Sequence, residues 1–309
     1  MKDITVWRMH LKPKPEQGIG LPEVLDFCRE HEIIGVGWSK VTCRMEDDRA
    51  LREDIAAQYP DWQSSAYKAI NAMRQIKTGD LVWTRVGGEA SVYYLCRVGD
   101  RLWEDREVTE EHRRHDICQF VSATWMKVGK VDNVPGKVVN SFCSPSMVQR
   151  VSDVTEISKA IWNRGSTCQK YEMRPLDSSS FWNLIDSEAL ECLILLYLQS
   201  RGYYIYSSTL KLSTARYEAV LVSRDGSHRA YPQVKRETPL CVSEYITDVS
   251  STNDRIFLFT TSENYGEARH PQVECLSRQE LEDFIRQSMS LLPHSITYWI
   301  DFIEQQMHA

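Results

Sequence analysis

The chain has 309 residues, 42% of them apolar and 26% charged, a globular composition that excludes a disordered or fibrous protein. No apolar run reaches the roughly 18 residues that a membrane-spanning helix needs. The net charge of −6 speaks against coating nucleic acid by bulk positive charge, but the acidic excess falls after residue 150, and local patches rather than totals steer binding.

Met1–Trp7 begins as a strand and not as a signal peptide. The first strand is expected over Val6–Leu11, with a loop over Pro13–Gly20 and a short helix opening at Leu21–Cys28. Ile33–Trp38 reads as a buried strand, Glu46–Tyr59 as a solvated helix, and Ser64–Ile76 as a helix with Ala66, Ala69, Ile70 and Met73 as its apolar stripe. Lys77–Asp80 is a turn into the strand Leu81–Thr84; Gly87-Gly88 turns into the strand Val92–Val98. Asp116–Val121 and Thr124–Val128 read as two strands, Val131–Gly136 as a turn, and Val138–Phe142 with Met147–Val151 completes the region. Many short strands with interspersed helices predict a small α+β barrel.

Three stretches carry a resemblance in this half: Ile34-Gly35-Val36-Gly37-Trp38, Gly79-Asp80-Leu81-Val82, and Trp125 followed by Val134-Pro135-Gly136. In this order they resemble the EVE/PUA-like domains. The resemblance implies a β-barrel over residues 1–162 that binds nucleic acid and holds a flipped, modified base in an aromatic pocket. Six of the nine tryptophans lie within the first 150 residues, and flat rings can sandwich an extruded base. Most tryptophans are core, so only about two or three are expected to line a pocket. Trp38 with Ser39, at a strand end, is the first choice, then Trp83 and Trp125. His112-x-x-His115-x-x-Cys118 lacks a fourth ligand at zinc spacing and has Arg113-Arg114 between its histidines, so a solvated loop is expected instead of a metal site. The nine cysteines are Cys28, Cys43, Cys96, Cys118, Cys143, Cys168, Cys192, Cys241 and Cys275. Scattered and without Cys-x-x-Cys, they read as reduced thiols of a cytoplasmic protein.

A helix is expected over Val151–Trp162, and the polar stretch 163–180, with Gly165, Pro175 and Ser178-Ser179-Ser180, reads as a linker to a second domain over 181–309. Ser187 is the expected N-cap of a helix whose run Cys192–Leu198 is almost wholly apolar, and Arg201-Gly202 ends it. Glu191 lies on that helix's inward stripe with Ile194, Leu195 and Leu198, where a carboxylate is costly unless paired or bound to a cation. Strands follow at Tyr203–Tyr206 and Tyr217–Val222, then the Asp225-Gly226 turn and a return strand Arg229–Arg236. Period two puts Gln233 and Lys235 on one face, able to converge with Glu218. Tyr245–Val249 is a short element, Arg255–Thr261 a buried strand, and Arg278–Leu292 and Ser295–Gln306 are amphipathic helices. This predicts an α/β layer domain with a mixed sheet.

Two carboxylates and an amide oxygen make a hard oxygen site suited to Mg²⁺, and a nearby lysine can hold the attacking water or stabilise charge growing on a phosphate. On spacing alone, the same residues read equally well as strand decoration and a buried helix acid. Glu191 with its apolar run and Gly202-Tyr203, then Glu218, then Gln233-Val234-Lys235 resemble the PD-(D/E)XK nuclease superfamily, closest to its Mrr-type restriction branch. The family's Asp before the second strand has no clear match, and Glu218, expected inside the strand, stands in for it. Pro232 removes a ladder donor beside the motif, so its strand is expected at a sheet edge or with a bulge. The resemblance implies Mg²⁺, with Mn²⁺ a substitute, held by Glu191, Glu218 and Gln233, and Lys235 assisting the water. The two halves together imply a modification-dependent DNA endonuclease restricting phage DNA, a homodimer because two strand scissions need two sites. The alternatives are a nuclease-fold protein that only binds nucleic acid and an RNA-directed nuclease.

Overall fold

The computed structural model describes residues 4–41, 47–86, 91–167, 170–176, 180–210, 216–248 and 253–307. The Gly87-Gly88 turn, Cys43, Cys168, Ser178-Ser179 of the linker, the first three residues, and the element ends expected at Glu46 and Val249 lie outside the described residues. The chain divides into two compact units, residues 1–178 with 305–309 and residues 179–304, each with its own mixed sheet. Among the described residues no helix is long and apolar enough to cross a membrane.

The first unit contains β1 (Val6–His10), α1 (Leu21–Glu30), β2 (Ile33–Val36), α2 (Asp48–Gln58), α3 (Gln63–Met73), β3 (Leu81–Val86), β4 (Val92–Val98), α4 (Glu110–Arg114), β5 (Gln119–Gly129), α5 (Gly136–Ser141), β6 (Val148–Arg150) and α6 (Thr155–Gly165). The sheet order is β2-β5-β4-β3-β1-β6, with β1 parallel to β3 and the other pairings antiparallel. It curls into a half-barrel whose edges are β2 and β6. The expected barrel is therefore open.

Two expected strands prove to be one, β5. Its first four residues pair with β2 and the rest with β4. The polar Ser122 in the middle is no turn. Its hydroxyl and carbonyl tie down the backbone of Arg101 and Gly99 while the strand changes partner. The register shift at Tyr93/Tyr94 adds the local twist expected of a bulge. Gly35 is required where β2 meets β5, since a Cβ there would stand 2.4 Å from the Gln119 carbonyl oxygen. Val138–Ser141 lies within a short helix, not a strand. Asp80 explains the Gly79-Asp80 turn. Buried, it accepts from Thr5 N (2.9 Å), Trp7 Nε1 (2.8 Å) and Lys77 N (3.0 Å), locking β1 to the start of β3. Trp7, Met9, Val82 and Cys96 face one core with α2 and α3. Val24, Leu25, Phe27 and Cys28, at helical spacing on α1, fill another with Ile33 and Phe120.

The second unit contains α7 (Phe181–Leu184), α8 (Ser187–Ser200), β7 (Tyr203–Ile205), β8 (Leu221–Ser223), β9 (Arg229–Lys235), β10 (Arg255–Thr260), β11 (Val273–Cys275), α9 (Arg278–Ser288) and all but the last turn of α10 (His294–Met307). The sheet order is β11-β10-β9-β8-β7. β9, β10 and β11 run parallel, while β8 and β7 are antiparallel to their neighbours. β10 is interior, and Ile256, Phe257, Leu258 and Phe259 are all buried, as an apolar run covered on both faces requires. Gly202 takes φ +90° after α8, and Gly226 φ +71° in the β8–β9 turn, both where a left-handed residue was expected.

The N-cap of α8 is Asp186, one residue before the expected Ser187; its carboxylate accepts from Ala189 N at 2.7 Å. A charged cap also suits the positive end of the helix. Residues expected to be linker are partly built into the first unit. Asn163 exchanges two hydrogen bonds with Tyr171, and Tyr171 OH donates to the Gly79 carbonyl at 2.7 Å.

Candidate active site

Glu191 projects from the second turn of α8, which packs on β9, and is half-buried. Its carboxyl is pushed up to about 7, first by burial and then by the negative charge of Glu218, with Glu188 and Asp186 adding and Lys235 opposing. Glu191, Glu218 and Lys235 therefore share one electrostatic neighbourhood, although they come from a helix, a loop and a strand.

Glu218 does not lie inside β8, as expected, but three residues before it, since β8 begins at Leu221. Regular β8–β9 pairing stops at Leu221↔Ala230. Beyond that point Glu218 N donates to the Pro232 carbonyl at 3.0 Å, and its side-chain Oε1 accepts from Val234 N at 3.3 Å.

This local geometry accounts for Pro232. β9 is interior, between β8 and β10, so of the two settings that the proline suggested, a sheet edge or a bulge, the edge is excluded. The Pro232 carbonyl faces the β8 side, so its nitrogen does too, because both backbone groups of a strand residue point the same way. On that side β8 has already given way, so no ladder bond is lost. The next donor on that side, Val234 N, goes to the Glu218 carboxylate. The proline thus marks where the two strands part.

Gln233 and Lys235 share the opposite strand face from Val234. Lys235 Nζ lies 3.9 Å from Glu218 Oε1. The buried Gln233 amide satisfies both its ends when its oxygen accepts from Lys235 Nζ at 2.8 Å and its nitrogen donates to the Arg216 carbonyl. Lys235 itself is half-exposed, so its ammonium can reach a ligand from a fixed base. Glu218, Gln233 and Lys235 are thus linked by direct contacts, and Glu191 lies within the electrostatic reach of Glu218 and Lys235.

Sequence reasoning missed Arg236. Its guanidinium donates to the Ile185 (2.9 Å) and Asn183 (3.1 Å) carbonyls, tying the end of β9 to the start of α8. Its place directly after Gln233-Val234-Lys235 was the available signal. Arg216 was missed as well, because only its carbonyl acts and a side-chain pattern cannot reveal that.

Among the described residues no group of three or more His, Cys, Asp or Glu side chains is arranged to hold a metal. The oxygen set here is smaller: Glu191, Glu218 and the Gln233 amide. It nonetheless suits a hard divalent cation. Glu191 holds its proton near neutral pH chiefly because it is half-buried, and secondly because of the charge of Glu218; a bound cation would offset both. The Gln233 oxygen keeps a lone pair beyond its bond from Lys235.

A stability effect follows. Because the folded pKa of Glu191 is raised from 4.5 to about 7, between those values the unfolded chain ionises while the folded chain keeps its proton. Stability therefore falls as pH rises through this window. Glu191→Gln removes the penalty. In EDTA the variant should be about 2 kcal/mol more stable than the wild type at pH 8, after discounting for solvent screening, and equal to it at pH 4. Urea unfolding at the two pH values checks this; parallel pH dependence in both proteins would contradict the placement of Glu191.

The base-pocket residues separate. Trp38 is half-buried, takes φ +63° at the end of β2, and meets Tyr59 edge-on at 5.0 Å. Its indole Nε1 is buried without a hydrogen-bond partner, and Ser39 beside it is half-buried. Trp83, by contrast, has 0% exposure, and its Nε1 donates to Ser158 Oγ at 3.0 Å; it is core and has no face for a base. Trp125 Nε1 donates to the Ile33 carbonyl at 2.9 Å, and its ring packs against both cores of the first unit, so it seals a seam. His112, His115 and Cys118 are not a solvated loop. Both histidines are buried, His115 stacked on Phe27 and His112 on Phe120. Burial pushes His112 down to about 4, helped by the positive potential of His31, Arg101, His115 and Arg113. The described cysteines are all free thiols.

No family model, curated protein or solved structure matches the chain.

Proposed function

We propose that the second unit is a Mg²⁺-dependent endodeoxyribonuclease, and that the first unit directs it to DNA carrying modified bases, as in restriction of phage DNA. The observation that carries this reading is the meeting of Glu191, Glu218, Gln233 and Lys235 at the point where β8 leaves β9. Glu191 and Glu218 would hold the cation, with Gln233 the neutral oxygen. When bound, the ion supplies charge stabilisation at the phosphate and lowers the pKa of a coordinated water. Gln233 and Glu218 fix the Lys235 ammonium, which orients the attacking water or takes up charge growing on the phosphate oxygens. Before the ion binds, Glu191 has a pKa of about 7; binding the cation would require its carboxylate form, so uptake of the ion would release that proton near neutral pH. Trp38 and Ser39 remain the residues for reading the base. Cutting both strands calls for two such sites, hence a homodimer acting in the cytoplasm.

The test is phage DNA carrying modified cytosines, incubated with the full chain and Mg²⁺ or Mn²⁺. Breaks that need the divalent ion and vanish in Glu218→Gln support the reading; an intact substrate under all conditions overturns it. One observation favours a second reading, a protein that binds nucleic acid without cutting: among the described residues no three His, Cys, Asp or Glu side chains are arranged to hold a metal. Titration calorimetry separates the two, since DNA binding without Mg²⁺ or Mn²⁺ binding supports the second.

A further inference from the structure

A second cluster of charged side chains, unrelated to the nuclease motif, lies on the β1–β3–β4 face of the first unit. In register, His10 pairs with Arg85 and Arg85 with Tyr93, and Arg8 is two residues along β1 on the same face. All three basic groups gather at the Phe142 ring. The Arg8 guanidinium stands 5.6 Å from its centroid, that of Arg85 4.9 Å, and the His10 imidazole 5.3 Å, edge-on. Arg8 has 0% exposure and His10 5%.

Their compensation is incomplete. Arg8 donates to the Ser146 and Met147 carbonyls and to Gln149 Oε1, but its Nε is buried without a partner. Arg85 donates to Tyr93 OH at 3.1 Å, and His10 Nε2 lies 3.0 Å from the Ser144 carbonyl. These partners are neutral. Burial pushes Arg8 down to about 10, with Arg85 adding to it. It pushes His10 down to about 4 against the Ser144 carbonyl, with Arg8, Lys12 and Arg85 adding. Among the described residues, the charged groups that act on Arg8 and His10 are cations. Gathering cations away from water without a counter-charge is costly, and an anion offsets that cost.

We propose that Arg8, His10 and Arg85, gathered around Phe142, form a phosphate-binding site with the exposed Lys12 at its mouth. Two guanidinium forks and an ammonium supply more donors than one carboxylate can use, whereas a phosphate group offers several oxygens and up to two charges; the neutral His10 imidazole, held by the Ser144 carbonyl, shapes the wall beside them. The phosphate can belong to a nucleic-acid backbone or be free. The site does not depend on the cleavage reading, because it lies in the first unit and its test omits divalent metal.

The experiment uses the full chain in EDTA, wild type against Arg85→Gln. Thermal melting is followed with inorganic phosphate against chloride of equal ionic strength, and anisotropy with a short DNA duplex. Phosphate stabilises folded proteins in general, so the difference between the two proteins is what is read. A phosphate-dependent rise in melting temperature, lost in Arg85→Gln, supports a free-phosphate site. A duplex affinity about tenfold weaker in Arg85→Gln, with a salt dependence lower by about one ion, supports a backbone contact. Equal melting shifts together with equal duplex affinities overturn the proposal. Should Arg85→Gln melt too low to be compared, Lys12→Gln, at an exposed position, provides the same readings.

Discussion

Lys235→Ala should reduce Mg²⁺-dependent cleavage by about 10²–10³-fold, the scale on which a single charge-stabilising donor acts, with little change in stability. The side chain is half-exposed and its ion pair with Glu218 is long at 3.9 Å, so its removal costs the fold little. What it removes is the cation that Gln233 and Glu218 hold in place. It also removes the charge that opposes protonation of Glu191, so less of the Glu191 carboxylate is ionised near neutral pH. Lys235→Arg should not restore activity, because a planar fork does not reproduce a compact ammonium accepted by one amide oxygen. Single-turnover cleavage of wild type and both variants, with urea unfolding alongside, measures this. Full activity in Lys235→Ala would remove Lys235 from the chemistry.

The second large effect concerns the first unit's tryptophans. Trp83→Ala should cost about 3–5 kcal/mol, as expected for emptying a fully buried aromatic site. The loss includes the hydrogen bond to Ser158, whose hydroxyl would be left buried without its partner. Trp38→Ala should cost only about 1 kcal/mol, because that ring is half-buried and its indole N–H satisfies nothing. If Trp38 reads the base, its variant should instead lose affinity for modified DNA. Denaturant unfolding ranks the pair, and comparable losses of stability would place Trp38 in the core with Trp83.

The cluster of Glu191, Glu218, Gln233 and Lys235 was more legible than the fates of the tryptophans, for a physical reason. Glu191 could be read because helix periodicity put a charge on an apolar stripe. Gln233 and Lys235 could be read because strand period two puts them on one face. Glu218 joins the cluster from a different setting than expected. Tyr217–Val222 has the pattern of a strand, but its first residues leave the ladder and Glu218 bonds to the backbone of β9 instead. The tryptophans carried no such pattern. Trp38 and Trp83 both follow apolar strand residues, and only packing made one a core ring and left the other partly open.

By itself the sequence determined the longer helices and most of the strands, the two turns that need left-handed glycines, and the division into two halves. These depend on neighbours within a few residues, where spacing and backbone sterics decide. Tertiary structure alone decided that Pro232 sits in a central strand, that His112 and His115 are packed between rings, and that Arg8, His10 and Arg85 meet. Each outcome depends on residues far apart in the chain, whose energies are set by what surrounds them after folding: a missing strand partner, a stacked ring, or a like charge that no local pattern records.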